Sequence, residues 1–120
     1  MKVILIVDDE FPNYLLIKGY LGDENIVTIL AKNGLEAVEY VRTTPDIALV
    51  LMDLRMPEMD GFYATKLINT IRPDLPVIAQ SAYYYDNIES KILDSGFADF
   101  LKKPFTESQL KKIVKLHLPI

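Results

Sequence analysis

Five short apolar runs rich in Val, Ile and Leu recur along the chain: "VILIV" at 3–7, "IVTIL" at 26–30, "IALVLM" at 47–52, "PVIAQ" at 76–80 and "DFLK" at 99–102. They are continuous rather than alternating, so each reads as a strand buried on both faces, as in a parallel sheet covered by helices on both sides. The stretches between them have helical period. Residues 11–21 carry Pro12 at their start and are followed by Gly22; Leu35, Val38 and Val41 repeat at helical spacing before Pro45, and Leu67, Ile68 and Ile71 before Pro73. A fourth helix is predicted over 84–95, carrying Ile88, Ile92 and Leu93 and stopping at Gly96, which suits a left-handed end. A fifth, over 106–117, opens with "TESQ", in which Thr106 and Gln109 fit a capping box. Strand and helix thus alternate five times, which predicts an α/β fold: a doubly wound, five-stranded parallel sheet with five flanking helices. No internal repeat, low-complexity tract or linker interrupts 1–120, so a single domain is expected.

Composition narrows the chemistry. The chain has no cysteine, which excludes disulfides, thiol catalysis and cysteine-based metal sites and fits a reducing cytoplasm. No apolar stretch approaches the roughly 20 residues of a membrane span. "MKVILIVDDE" turns acidic too early for a signal peptide, so no membrane role is expected of this segment. A net charge of −4 and a pI near 4.9 oppose direct nucleic-acid binding and favour cations or basic partners.

The acids are not scattered. "LIVDDEF" at 5–11 ends a buried strand in three consecutive carboxylates. In open α/β sheets, ligands bind outside the carboxyl ends of the strands, where strand order reverses. With the order 2-1-3-4-5, Asp8 and Asp9 at the end of the first strand meet Asp53 at the end of the third. Three anions so close either raise one another's pKa or require a cation. All the ligand atoms are oxygen, and a hard ion such as Mg²⁺ suits them. Ser81 after the fourth strand offers a hydroxyl and Lys103 after the fifth an ammonium, so that metal, hydroxyl and cation together form a phosphate cradle. Phosphoryl transfer needs little beyond positioning and charge neutralisation, and Asp53, alone on the central strand, is the best-placed nucleophile.

"VDDE", "MDLRMPEMDG", "SA" and "KKPF", in this order and spacing, resemble the receiver domain of two-component response regulators, and the likeness spans the whole chain. The resemblance implies a CheY-like, flavodoxin-like fold. It also implies that Asp53 accepts a phosphoryl group from a phosphohistidine on a histidine kinase or histidine phosphotransfer protein. Asp8 and Asp9 match the acidic pair that orients Mg²⁺, with Asp53 and the backbone carbonyl of Arg55 completing the protein's share. Ser81 matches the hydroxyl that moves onto the phosphoryl oxygen, Lys103 the lysine that pairs with it, and Phe100 the aromatic switch. Lys103-Pro104 resembles the family's cis peptide, which turns Lys103 back toward the site. On phosphorylation Ser81 is drawn inward, Phe100 rotates from exposed to buried, and the face of fourth helix, fifth strand and fifth helix changes its affinity for a partner or a second copy. Such a domain catalyses its own phosphorylation and dephosphorylation without being a turnover enzyme.

Several positions qualify this reading. Arg55 and Tyr83 resemble positions that tune the lifetime of the acyl phosphate, and an altered lifetime is expected. "AYYYD" at 82–86 either exposes a tyrosine to a partner or pads the helix–sheet junction. "VDDEFPNYLL", with Asn13, and "MDGFYATKLI" look most like receivers of hybrid sensor histidine kinases, though both a stand-alone regulator and a domain of a longer protein fit the sequence. Glu10 and Lys102 read as solvated charges, and His117, the single histidine, lies far from the acids. A dehalogenase-type phosphatase expects a second acid where Arg55 stands. A nuclease lacks a basic track, and a flavodoxin-type redox protein would carry a phosphate loop where the acids are. A receiver-like binding module that is never phosphorylated is the remaining alternative, opposed by the intact Asp8, Asp9, Asp53 and Lys103.

Overall fold

The computed structural model describes residues 2–22, 25–56, 58–82 and 86–118. Its elements alternate as β1 (Lys2–Val7), α1 (Phe11–Leu21), β2 (Ile26–Ala31), α2 (Gly34–Thr43), β3 (Ile47–Asp53), α3 (Gly61–Ile71), β4 (Val77–Ser81), α4 (Ile88–Asp94), β5 (Asp99–Lys102) and α5 (Glu107–His117). The strands form one parallel sheet in the order β2-β1-β3-β4-β5, as the sequence predicts.

The continuous apolar runs are explained by the two faces they serve. On β1, Leu5 and Val7 enter a core shared with α2, α3 and α4, while Ile4 and Ile6 enter a second core shared with α1 and α5. On β3, Val50 and Met52 face the first core and Leu49 and Leu51 the second. This is the two-residue period of a strand with both faces covered. Each fully buried branched side chain, such as Ile17 on α1 or Ile68 on α3, contributes about 2 kcal/mol of hydrophobic stabilisation.

Local signals fix three of the five helix starts and the end of α4. Asn33 and Asp60 accept hydrogen bonds from the backbone N–H groups of Glu36 and Tyr63, at 2.8 and 2.9 Å. Thr106 and Gln109 form the expected capping box, with bonds of 2.9 and 3.1 Å. Helix α4 differs from its prediction over 84–95, since it begins only at Ile88. Asn87 before it is left-handed (φ 67°), a conformation that a right-handed helix cannot continue through. Its far end is as expected: Gly96 has φ 94°, its N–H reaches the carbonyl of Leu93, and that of Phe97 reaches Ile92, a Schellman closure. Strands β3 and β4 each run one residue further than predicted, so Asp53 and Ser81 belong to strands rather than loops. Among the described residues, no helix is long and apolar enough to cross a membrane.

Candidate functional site

Parallel register carries the acids together. Val7 pairs with Met52, so the next residues on each strand, Asp8 and Asp53, emerge side by side, and Asp53 in turn pairs with Gln80 of β4. Asp8 and Asp53 are buried, whereas Asp9 is exposed at the rim. One carboxylate oxygen from each of the three lies within 4.8 Å of the others. The opening of α3 is pressed against this floor: a Cβ on Gly61 would lie 2.3 Å from the carbonyl oxygen of Asp53, so only glycine fits there.

Lys103 closes the site from the end of β5. Its Nζ lies 3.3 Å from Asp8 Oδ2 and 3.5 Å from Asp53 Oδ2, tying the two buried acids with one cation. Its backbone N–H donates to the carbonyl of Ser81 at 2.8 Å, and the Lys103-Pro104 peptide is cis, as the resemblance implies. Asp53 also accepts from the backbone N–H of Arg55 at 3.3 Å. Burial dominates its titration and raises its pKa from 3.8 to about 6; Lys103 and the Arg55 N–H pull it down, and Asp8 and Asp9 push it up. The donor set is all oxygen and anionic, which suits a hard divalent cation such as Mg²⁺ and no soft metal.

The remaining predicted residues are placed as follows. Ser81 is buried at the end of β4 and borders a groove of about 360 Å³ together with Leu54, Phe62, Ile88 and Lys91. The Arg55 side chain is exposed at the mouth of the site. Phe100 is half-buried against the core under α4, at neither the exposed nor the buried extreme of a switch. Tyr83, with most of "AYYYD", lies outside the described residues. His117 stays away from the acids, its Nε2 lying 2.9 Å from Asp99 Oδ2 on β5.

Two residues at the site escaped sequence reasoning. Asn13 on α1 donates through Nδ2 to Asp8 Oδ2 and lies 3.5 Å from Oε1 of Gln80, which is buried. Asn13 carries no signal beyond its place in "VDDEFPNYLL", and Gln80 falls at the end of the apolar run "PVIAQ", where its polarity at a strand end is the available clue.

Comparison with known proteins agrees with this geometry. The family model described as response regulator receiver domain matches residues 4–115. The chain is 36% identical over 116 residues to the sensor histidine kinase GacS of Pseudomonas protegens, covering 92% of this chain and 12% of that protein. It is 35% identical over 118 residues to the signal transduction histidine-protein kinase BarA of Escherichia coli, covering 97% of this chain and 13% of the kinase. The chain therefore spans roughly an eighth of the length of these relatives. Among solved structures, it resembles the receiver domain of the sensor histidine kinase PA1611 from Pseudomonas aeruginosa. The TM-score is 0.87 and the identity 29%, over 97% of this chain and 96% of the other, and that structure has a magnesium ion coordinated in its active site cleft. The chemotaxis protein CheY4 of Vibrio cholerae shares the fold, with a TM-score of 0.88 at 22% identity over 98% of this chain and 99% of the other. Fold, acidic crevice and family match coincide along one length of chain, which belongs to the response regulator receiver domains of two-component signalling.

Proposed function

We propose that this domain is a Mg²⁺-dependent phosphoacceptor whose Asp53 takes a phosphoryl group from a phosphohistidine of a histidine kinase or histidine phosphotransfer protein. The observation that carries the reading is the convergence of Asp8, Asp9 and Asp53 with Lys103 bridging the two buried acids. Burial raises the pKa of Asp53 to about 6 in the metal-free chain, and Lys103 beside it, together with a bound cation, would favour the ionised form that attacks. As an Asp53 oxygen bonds to phosphorus, the P–N bond breaks and its electron pair stays on the imidazole. Asp8, Asp9 and Asp53 would hold Mg²⁺ with the backbone carbonyl of Arg55, and the ion would neutralise charge on the phosphoryl oxygens. Lys103 then supplies an ammonium to the phosphoryl group that Asp53 has gained.

Docking of the donor is supported by α1, which starts two residues after Asp9 and exposes Phe11, Leu15 and Leu16. Output is assigned to Ser81, Phe100 and the surface of α4, β5 and α5, where Leu93 and Leu116 are exposed and a second copy or a target could dock. The groove beside Ser81 supports a hydroxyl shift there. Arg55, exposed at the mouth, is expected to change the lifetime of the acyl phosphate.

The test is incubation with acetyl phosphate and Mg²⁺, followed by intact-mass measurement. One added phosphoryl group, base-labile and missing in Asp53→Ala, is expected. An unmodified wild-type chain that also fails to bind beryllofluoride would refute the reading and leave a partner-binding module that is never phosphorylated.

A further inference from the structure

Gln80 is an expensive residue for its position. It is 1% exposed, in the layer of Ile78 and Leu101, and its Nε2 has no hydrogen-bond partner among the described residues. A buried donor left unmet lowers stability, and an apolar side chain of the same size avoids that cost. Its location suggests what offsets the cost. Asp8, Asp53 and Gln80 occupy one row across three adjacent strands, β1, β3 and β4, just above the layer of Val7, Met52 and Ala79.

Asn13 connects the two ends of that row. Its Nδ2 carries two hydrogens; one goes to Asp8 Oδ2, and the other faces Gln80 Oε1 at 3.5 Å. The orientations are mutually determined. Turning the Asn13 amide over would set its oxygen against the Asp8 carboxylate, and turning Gln80 over would set an N–H₂ against the Asn13 N–H₂. Asp8 therefore fixes Asn13, Asn13 fixes Gln80, and the Gln80 donor is left facing the core. The other restraints on Asp8 are the Glu10 backbone N–H on Oδ1 at 2.9 Å and Lys103 on Oδ2 at 3.3 Å.

We propose that Asn13 and Gln80 are positioning residues of the cation site, a two-amide strut that holds the Asp8 carboxylate in the orientation a divalent ion requires. The inference rests on the reading that Asp8 helps to bind Mg²⁺. A carboxamide suits the role better than a second ammonium, because it aligns the carboxylate without adding a positive charge that would repel the ion. Gln80 contributes by holding Asn13 in one amide orientation, so that Asp8 meets the same donor before and during metal entry. The strut also runs from the metal-binding acid to the residue before Ser81, so both ends of the phosphate cradle share it.

The strut predicts opposite effects on metal binding and on folding, which separates it from a packing role. Outer partners of metal ligands are worth about 10- to 100-fold in affinity; Asn13→Ala is expected near the lower figure, about 10-fold weaker for Mg²⁺ by isothermal titration calorimetry. Gln80→Met, one step further out and matched in volume, is expected to weaken Mg²⁺ by a smaller factor, about threefold. Its urea midpoint without metal is expected to equal or exceed that of the wild type. The double variant is expected to bind like Asn13→Ala alone, since Gln80 acts only through Asn13. A wild-type affinity in Gln80→Met beside a wild type that binds Mg²⁺ overturns the inference alone, as does full additivity in the double variant. A wild type that does not bind Mg²⁺ at all removes the proposed function and this inference with it.

Discussion

Replacing Asp53 by asparagine is expected to stabilise the metal-free protein at neutral pH while abolishing phosphorylation. Asp53 is 6% exposed and its pKa rises from 3.8 to about 6 in the folded chain, chiefly through burial. A group whose pKa is raised by folding favours the folded state fully below its unfolded pKa, and that contribution is lost as pH rises through the folded value. At 1.36 kcal/mol per pH unit, ionising Asp53 at pH 7 or above costs the fold about 3 kcal/mol. Asparagine has nearly the same shape and no charge to bury. The pull of Lys103 on Asp53 at 3.5 Å already holds that pKa down, and Lys103 keeps Asp8 at 3.3 Å, so the net gain is expected to be up to about 3 kcal/mol. Urea unfolding of both proteins in EDTA from pH 4 to pH 8 measures this directly, and subtracting the two curves cancels the carboxylates that lie away from Asp53. The difference should be small at pH 4, grow through pH 6 and level off above pH 7. A difference that stays flat, or a wild type more stable than the variant at pH 7, would show that burial is not what controls this carboxyl.

Adding Mg²⁺ at 100 times its dissociation constant should raise wild-type stability by about 2.7 kcal/mol, and Asp8→Asn should lose most of that gain in the same urea assay. Gly61→Ala drives a methyl group toward the Asp53 carbonyl, 2.3 Å away, and is expected to cost roughly 1–3 kcal/mol and to slow phosphorylation by acetyl phosphate, because the end of β3 must shift. Thr106→Ala removes the capping box of α5 and should cost about 1 kcal/mol with no change in phosphorylation. Ile68→Ala opens a cavity in the core under α3, and denaturant unfolding should record a loss of 2–5 kcal/mol (about 3).

The sequence by itself determined the alternation of strands and helices, because a strand buried on both faces and a helix buried on one leave different periods in the apolar residues. It determined the caps at Thr106 and the stop at Gly96, which depend on chemistry within a few residues. It also marked Asp8, Asp9, Asp53, Ser81 and Lys103 as chemistry-bearing, since charged and hydroxyl groups at the ends of apolar runs stand out against their background. The late start of α4 was not legible, since the left-handed turn at Asn87 leaves no periodic trace. Only tertiary structure decided the depth of the site. Register between β1 and β3 sets Asp8 beside Asp53, and the helices above exclude enough water to raise the pKa of Asp53 while leaving Asp9 exposed. Only there, too, did Asn13 and Gln80 meet, residues 67 apart in the chain. Their contact follows from the start of α1 lying beside the ends of β1 and β4, and a local pattern cannot encode a distance that the whole sheet creates.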